Sequence, residues 1–341
     1  MPRDARVFVL ITGGAGFLGS HVVRSVLKDD RYNDYSVLVV DDLSGGFVTN
    51  LPDDSRLEFV EASIVNAAEM DALFEQFEIR YVFHLAAYAA EGLSHFIRRF
   101  NYQNNLIGSV NLINAAVRSD VAHFVFTSSI AVYGSGQVPM KEETVPAPED
   151  PYGISKLAVE LDLAAAHEMF GQPYTVFRPH NVYGEFQNIG DRYRNVVGIF
   201  MNNIISEKPL PVFGDGTQQR AFSYVADLMH PIVSAPFVPE AACEVFNVGA
   251  SQPVSVRELA EVTCREFDVN PDLDFLPARN EVHKAWSDHS KCDSVFGPAE
   301  ETPLEEGIHR MAEWVRAEGP RESQSFGEIE IEKGLPPSWH G

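Results

Sequence analysis

Short runs of apolar residues alternate with longer amphipathic stretches through the first half of the chain. Most runs are continuously apolar, which is typical of strands that helices cover on both faces of a parallel sheet. The pattern predicts strands over Val7–Thr12, Ser36–Asp41, Leu57–Glu61, Tyr81–Leu85, His123–Ser128 and Tyr174–Arg178. It predicts helices over Phe17–Lys28, Ala67–Phe77, Phe100–Arg118 and Ile154–Phe170. This alternation predicts βαβ units, and therefore a doubly wound α/β fold.

The pattern changes after residue 180, where loops lengthen and prolines and glycines become frequent. Ser255 and Glu258 have the spacing of a capping box, which predicts a helix over Val254–Phe267. Another helix is predicted over Pro303–Ala317. We therefore expect a first domain over residues 1–180, to which some later segments return, a smaller α/β lobe over 181–320 and a tail over 321–341. The tail has little periodicity, and the pattern leaves open whether it docks on the surface.

Composition excludes several classes of function. The chain has 49 acidic against 26 basic residues and a formal net charge of −23, whereas nucleic-acid and anionic-membrane binding depends on clustered lysine and arginine. Cys243, Cys264 and Cys292 lie far apart without metal-site spacing, which indicates thiols in a reducing compartment. No apolar stretch approaches the roughly 18 residues that span a bilayer, and the N-terminus does not resemble a signal peptide. We expect a cytoplasmic protein that binds no nucleic acid, membrane or metal.

A glycine-rich turn joins the first predicted strand to the first predicted helix. Gly13, Gly16 and Gly19 are spaced GxxGxxG, which permits a tight turn and brings the backbone close to a pyrophosphate at the helix N-terminus. Asp41 and Asp42 end the second strand, where a carboxylate accepts hydrogen bonds from the adenosine ribose and repels a 2′-phosphate. The alternative is a βα turn that holds no ligand. The strand, helix and acids together favour a dinucleotide site, for NAD rather than NADP.

Tyr152 and Lys156 are four residues apart, which places them on one face of a helical turn. A free tyrosine titrates at about pH 10, and a nearby ammonium group favours its phenolate and so brings it toward the working range of an acid/base catalyst. Ser129 follows a strand at the sheet edge where ligands bind, so it can share a substrate hydroxyl with Tyr152. An exposed tyrosine and a solvated lysine with this spacing also occur often by chance.

In this order and spacing, these features resemble the extended short-chain dehydrogenase/reductases, and among them the NAD-dependent nucleotide-sugar epimerase/dehydratase family, with its UDP-glucose 4-epimerase-like members. The resemblance covers about residues 6–317. Supporting matches are HLAA at 84–87, Asn104-Asn105, RPHNVYG at 178–184, GDG at 214–216 and SYVADL at 223–228.

The resemblance implies a Rossmann-type domain, a substrate-binding lobe on its C-terminal side and a tightly held NAD. It also implies a homodimer through the two helices predicted over Phe100–Arg118 and Ile154–Phe170. These helices carry apolar positions beyond one core-facing stripe, including Leu157, Leu161 and Met169.

Residue roles follow from the resemblance position by position. The catalytic residues would be Tyr152, Lys156 and Ser129. The cofactor would contact Gly13, Gly16, Phe17, Leu18, Gly19, Asp41, Asp42, Ser63, Ile64, Leu85, Ala86, Ala87, Asn105, Ser128, Tyr152, Lys156 and Pro179. The substrate, most simply a UDP-linked sugar, would contact Tyr88, Glu91, Ser129, Asn181, Asn195, Arg220, Arg279 and Ala285. Arg220 would pair with a phosphate, the alternative being a surface arginine in a loop.

Departures from the family pattern narrow the reaction. The 4,6-dehydratases carry an Asp-Glu pair and the decarboxylases a glutamate where this chain has Ile130 and Ala131. A 3,5-epimerase needs a cysteine and a lysine where Ala131 and Asn195 stand. Without a second acid/base group, the resemblance implies a 4-epimerase that removes and returns a hydride at C4. The alternatives are an NDP-4-keto-sugar reductase or a dehydratase of the same family, and a non-catalytic NAD-binding protein of this fold.

The sugar pocket also departs from the family. Ala89 and Ala131 stand where common 4-epimerases have polar groups. Possible replacements, each of which could equally be a structural loop residue, are Tyr88, Glu91, Ser94, His95 and His180. Ala285 matches a position that limits sugar size, and a small residue there leaves room for a 2-acetamido group. Ser63 replaces an acid that reads adenine in many relatives, and Arg279 lies one residue beyond the position of a phosphate-binding arginine.

Overall fold

The computed structural model describes residues 6–278, 282–322 and 326–339. The elements of the first half are β1 (Val7–Thr12), α1 (Phe17–Lys28), β2 (Ser36–Asp41), β3 (Leu57–Glu61), α2 (Ala67–Gln76), β4 (Glu78–His84), α3 (Glu91–Ser94), α4 (Arg98–Tyr102), α5 (Gly108–Arg118), β5 (His123–Thr127), α6 (Pro151–Phe170) and β6 (Tyr174–Pro179). Those of the second half are β7 (Val182–Tyr183), α7 (Val196–Ile205), β8 (Leu210–Phe213), β9 (Gln219–Ala221), β10 (Ser223–Tyr224), α8 (Met229–Ser234), β11 (Glu244–Val248), β12 (Pro253–Ser255), α9 (Val256–Glu266), β13 (Leu273–Leu276), β14 (Lys284–Ala285), α10 (Ser290–Phe296) and α11 (Leu304–Glu318).

The main sheet has seven parallel strands in the order β3-β2-β1-β4-β5-β6-β11. Helices α2, α5 and α6 pack an apolar cluster against one face, and α1, α8 and α11 contribute to a cluster on the other. The doubly wound α/β fold predicted from the sequence is therefore confirmed. Thr12 lies opposite Val40 on β2 and opposite His84 on β4, so the turns after these three strands meet at one edge.

Several helix ends differ from the prediction by one to three residues, and the two largest changes on the Tyr152 side of the molecule are at the starts of α4 and α6. The helix predicted over Phe100–Arg118 begins two residues earlier, with α4, and continues into α5 through a π-helical segment, Gln103–Ile107. Helix α6 begins at Pro151 rather than Ile154, because the Asp150 carboxylate caps it by accepting from the Gly153 N–H at 2.9 Å. Tyr152 is thus held in the first turn of a regular helix.

The sequence prediction did not include β11, although this strand lies in the range assigned to the lobe and pairs with β6 in the main sheet. The rest of the lobe consists of small sheets, β12-β9-β14, β13-β8 and β10-β7, with helices such as α7 and α9. The predicted capping box is confirmed. The Ser255 hydroxyl accepts from the Glu258 N–H at 3.1 Å, and the Glu258 carboxylate accepts from the Ser255 N–H at 2.7 Å.

The described residues contain neither a membrane-spanning helix nor a cluster of metal ligands. None of the helices there combines the length and apolarity that a membrane span requires. No three histidine, cysteine or acidic side chains in the described ranges are grouped so that they could hold a metal ion.

Candidate active site

A cleft of about 860 Å³ opens at the carboxyl edge of the main sheet, and its walls come from both the sheet and the lobe. This is where an open parallel α/β sheet binds ligands. The predicted cofactor residues that line it are Gly13, Gly16, Phe17, Leu18, Gly19, Asp41, Asp42, Ile64, Leu85, Ala86, Ala87, Ser128, Tyr152, Lys156 and Pro179. The predicted substrate residues that line it are Tyr88, Glu91, Ser129, Asn181, Asn195, Arg220 and Ala285.

Two predicted contacts are placed differently, and a third residue is not among those that the structure describes. Asn105 lies beneath the cleft, where its amide accepts from the Tyr88 N–H at 2.8 Å and donates to the Tyr88 carbonyl at 3.0 Å. It holds the wall of the cleft from below, while its neighbour Asn104 lines the cleft. Ser63 also lies off the cleft lining, and its hydroxyl donates to Asp42 at 3.3 Å. Arg279 lies outside the described residues.

The glycine turn is packed so tightly against the rest of the protein that it has no room for side chains. A β-carbon on Gly13, whose φ is +68°, would lie 2.7 Å from the backbone of Ala86. One on Gly19 would lie 2.0 Å from the Gly13 carbonyl oxygen. The first turn of α1 borders the cleft through Gly16, Phe17 and Leu18, so the positive end of this helix is available to a phosphate.

The two aspartates at the end of β2 differ in their surroundings. Asp41 is buried, and its carboxylate accepts from the Ala15 N–H at 3.0 Å and the Leu43 N–H at 2.8 Å. Burial raises the pKa of Asp41, and these hydrogen bonds oppose that rise because they stabilise the carboxylate. Asp42 is exposed at the cleft and accepts from the Ser44 N–H at 3.0 Å. Asp41 thus fixes the glycine turn against β2, and Asp42 presents the more accessible charge.

Tyr152, Ser129 and Lys156 come together where β5 ends and α6 begins. The Ser129 side chain is near enough to the Tyr152 phenol to favour its phenolate, and the Lys156 ammonium lies 5.8 Å from the centre of the tyrosine ring. The ammonium donates to the Thr127 carbonyl at 2.8 Å, and both Lys156 and Tyr152 are buried. The predicted catalytic residues therefore share one dry corner of the cleft.

Burial controls the protonation of this corner. Burial raises the pKa of Tyr152. The neighbouring Ser129 hydroxyl and the charge of Arg194 oppose this effect, and the charges of Glu91 and Asp150 reinforce it. Burial lowers the pKa of Lys156 to about 7. A positively charged ligand beside the phenol would favour the phenolate, as would the charged form of Lys156.

A buried ion pair supports the strands that carry the site. The Arg178 Nε on β6 donates to the Glu160 carboxylate of α6 at 3.0 Å, and the Ser128 hydroxyl at the end of β5 donates to the same carboxylate. The Arg178 guanidinium also lies 4.7 Å from the centre of the Tyr133 ring. This network links α6 to the ends of β5 and β6, next to Ser129.

Arg194 is a cleft residue that the sequence analysis missed. It follows β7 in the loop before α7, its Nε donates to Asp191 at 2.6 Å, and its guanidinium lies 4.7 Å from the centre of the Tyr88 ring. The only signal in the sequence was its position beside Asn195. Arg220 lines the cleft as predicted, and its guanidinium donates to the carbonyls of Gln219 at 2.9 Å and His283 at 3.0 Å.

The tail contributes a further wall that was not predicted. Residues Gly334–Trp339 line the same cleft as Tyr152, and Trp339 is buried. The signal that could have indicated this is the presence of Leu335 and Trp339 in a stretch without helical or strand periodicity.

Comparison with known proteins extends these observations. A family model described as the NAD dependent epimerase/dehydratase family matches residues 9–249. The UDP-glucose 4-epimerase of Mycolicibacterium smegmatis is 31% identical over 313 residues, which cover 90% of this chain and 98% of that protein. The dTDP-D-glucose 4,6-dehydratase of Mus musculus is 30% identical over 321 residues, covering 90% and 88% respectively. The crystal structure of the Thermotoga maritima UDP-glucose 4-epimerase with UDP-glucose is similar at a TM-score of 0.85 and 33% identity, covering 91% of this chain and 99% of that one.

Proposed function

Because the chain belongs to the NAD-dependent epimerase/dehydratase family, we propose that it is a nucleotide-sugar 4-epimerase that uses NAD without consuming it. The observation that carries this proposal is the composition of the catalytic corner. Tyr152, Ser129 and Lys156 supply one acid/base centre. The residues that follow Ser129 are Ile130 and Ala131, so no carboxylate stands there for elimination of water.

The cleft has the features that NAD requires. The glycine turn lines the cleft at the start of α1, where a pyrophosphate would bind, and the Asp42 carboxylate is accessible at the end of β2. Lys156 lies where it would reach the nicotinamide ribose if the chain binds NAD as its family does. When bound, NAD supplies the hydride acceptor and donor of the reaction at its nicotinamide ring.

The protein's own residues then move the proton. The Tyr152 phenolate accepts the proton of the sugar 4-hydroxyl as the C4 hydride leaves and the 4-ketone forms. Ser129 orients that hydroxyl by sharing its hydrogen bond. After the ketone presents its other face, the phenol returns the proton to the C4 oxygen while the hydride returns to carbon. Each turnover returns the proton and the hydride that it removed, so no reductant is consumed.

The substrate that we propose is a UDP-linked hexose or N-acetylhexosamine. Arg220 and Arg194 place two guanidinium groups at a cleft of an otherwise acidic protein, where a diphosphate needs local donors. The buried Ala285 on β14 also lines the cleft, and its small side chain leaves volume for a 2-acetamido group. The Thermotoga maritima relative was solved with UDP-glucose, which makes this sugar the first to test.

One observation favours dehydration as the second candidate. Glu91 of α3 lines the cleft, and its charge acts on Tyr152, so this carboxylate could serve as the additional acid that Ile130 and Ala131 do not provide. The mouse relative is a dTDP-D-glucose 4,6-dehydratase.

Product analysis separates these reactions. The purified protein is incubated with UDP-glucose, UDP-N-acetylglucosamine or dTDP-glucose, and products are identified by mass spectrometry and NMR. We expect a product of unchanged mass with inverted C4 from a UDP-sugar, no requirement for added NADH, and product formation about 100-fold slower or more in the Tyr152→Phe variant. A product lighter by one water would establish the dehydratase instead. Accumulation of a 4-keto-sugar with stoichiometric formation of NADH from added NAD would indicate a 4-oxidoreductase, the reverse of the reductase reaction.

A further inference from the structure

The tail docks on both halves of the molecule. The Glu330 carboxylate accepts from the Arg99 and Phe100 N–H groups at 2.8 and 2.9 Å, which caps the start of α4. The Glu330 N–H donates to the Phe96 carbonyl at 2.9 Å. On the lobe side, the Phe326 N–H donates to the Tyr193 hydroxyl at 3.2 Å. The tail is therefore anchored to the loop after β4 and to the loop before α7.

Trp339 bridges the mouth of the cleft. Its ring lies 6.2 Å from that of Phe96, 5.3 Å from that of Tyr193 and 6.3 Å from that of Phe213 at the end of β8, measured between ring centres. Only 4% of the residue is exposed. Trp339 thus packs against the main domain and the lobe at once, and the surface that it completes belongs to the cleft.

This wall adjoins the place where the reacting sugar must lie. Phe96 lies two residues after the end of α3, the helix that begins at Glu91, and Tyr193 directly precedes Arg194. Glu91 and Arg194 both act electrostatically on the Tyr152 phenol. Trp339 therefore contacts the two segments that approach the catalytic tyrosine, rather than the glycine turn at the opposite end of the cofactor site.

The chemistry of the wall suits a sugar better than a phosphate. Residues 334–339 carry no charge, and Pro336 and Pro337 have no N–H to offer. The Leu335 and Trp339 N–H groups already donate to the carbonyls of Glu332 and Pro336, at 3.0 and 2.9 Å. An apolar and aromatic surface of this kind packs against the C–H face of a hexose, whereas a diphosphate requires donors or positive charge.

We propose that Gly334–Trp339 is a substrate-binding wall, which the sugar of the nucleotide sugar contacts through Trp339 and Leu335. The proposal rests on the proposed function, because it assigns the occupant of the same cleft. The catalytic cleft is then incomplete without the tail, even though Tyr152, Ser129 and Lys156 all lie before residue 160.

Three variants test the wall in the NAD-loaded protein. Trp339→Ala removes the bridging ring, and a chain ending at Lys333 removes the whole wall. Ile331→Ala is the matched control, because Ile331 belongs to the same tail but is 41% exposed and is not part of the cleft lining. Calorimetry measures Kd for UDP and for UDP-glucose, while thermal unfolding and NAD content verify that each variant keeps its fold and cofactor.

We expect both wall variants to weaken UDP-glucose binding about fivefold or more, which is the scale of a lost aromatic contact. Binding of UDP should change by less than about twofold, and the control should match the wild type. Unchanged UDP-glucose affinity in both variants would overturn the proposal, as would equal weakening of UDP and UDP-glucose. A wild type that binds UDP-glucose without epimerising it contradicts only the proposed reaction, since the Kd comparison still decides the wall. A wild type that binds neither ligand contradicts both proposals.

Discussion

At the scale of single residues, the hydroxyl of Tyr152 carries the acid/base step of the proposed reaction. Tyr152→Phe keeps the ring that packs at the start of α6 and removes only the proton carrier. We expect turnover to fall about 100-fold or more, the usual range for a positioned acid/base group, with NAD still bound. Steady-state assays and the absorbance of released NAD measure the two effects.

The matched control for this variant is Tyr32→Phe. The Tyr32 hydroxyl is also buried and donates to the Val233 carbonyl at 2.6 Å, but Tyr32 is not part of the cleft lining. This variant should lose stability of about 1 kcal/mol and keep its turnover. Near-native turnover in Tyr152→Phe would move the acid/base role elsewhere, first to His180 or Glu91.

Lys156 links function to stability through its burial. Its pKa is about 7 in the folded protein and about 10.5 in the unfolded chain, so between these values the unfolded state binds more protons and stability rises with pH. Lys156→Met removes the charge that must be desolvated. We expect the variant to be more stable than the wild type at pH 7 by about 1–3 kcal/mol, and to lose most turnover.

Denaturant unfolding of NAD-free protein at pH 7 and pH 9 checks this prediction. The difference in stability between variant and wild type should narrow as pH rises. Folding deprotonates the wild-type lysine, and the free-energy cost of this deprotonation falls as the pH approaches the unfolded-state pKa of 10.5. A variant that is less stable at pH 7, or a gap that widens with pH, would show that the ammonium stabilises the fold.

Residue identities could be predicted from sequence where a local motif fixes the geometry. The glycine turn and the Tyr152–Lys156 pair are of this kind, since spacing along one turn determines which atoms meet. Asn105 shows the limit, because its amide turns toward the Tyr88 backbone, a contact that no local pattern encodes. Arg194 was missed for the same reason, as its place depends on how a long loop folds back over the cleft.

At the scale of elements, the Glu160–Arg178 pair holds α6 against β6, next to Ser129. Both side chains are about 5% exposed, so removing one charge leaves the other buried without its partner. Glu160→Ala should therefore cost about 3–5 kcal/mol in the free energy of unfolding. The exposed pair Arg310–Glu306 on α11 provides the control, and Glu306→Ala should cost less than about 1 kcal/mol. If urea unfolding gave equal losses of stability for Glu160→Ala and Glu306→Ala, the buried pair would be no more important to the fold than the exposed pair.

Elements with strong local periodicity were predicted well from the sequence. The predicted bounds are correct for strands β1, β2 and β3 and for helix α1. Continuous apolar runs define the strands, and the glycine turn separates β1 from α1. Strand β11 was not predicted because its short run pairs with β6, about 70 residues earlier, across a different part of the chain. The start of α6 was placed three residues late, since Gly153 weakens the helical pattern that the Asp150 cap restores.

At the scale of the whole molecule, α6 presents an apolar stripe to the surface. Ile154, Leu161 and Met169 lie at spacings of seven and eight residues, which puts them on one helical face, and they are 40%, 63% and 74% exposed. Ile107, in the π-helical segment before α5, is 48% exposed as well. A row of large apolar side chains exposed to water is unfavourable, so these residues favour contact with a partner surface. Pairing of α6 with its copy across a two-fold axis would cover them.

We therefore expect a homodimer, with a mass near twice 37.9 kDa by light scattering at micromolar concentration. Leu161→Glu would place a charge in the middle of the stripe and should shift the protein to monomers, because burying an unpaired charge in an apolar interface is unfavourable. Val145→Glu is the control, since Val145 is 82% exposed in a loop outside α6 and should leave the mass unchanged. A wild type of 37.9 kDa, or a Leu161→Glu variant that keeps the dimer mass, would rule out assembly through this face.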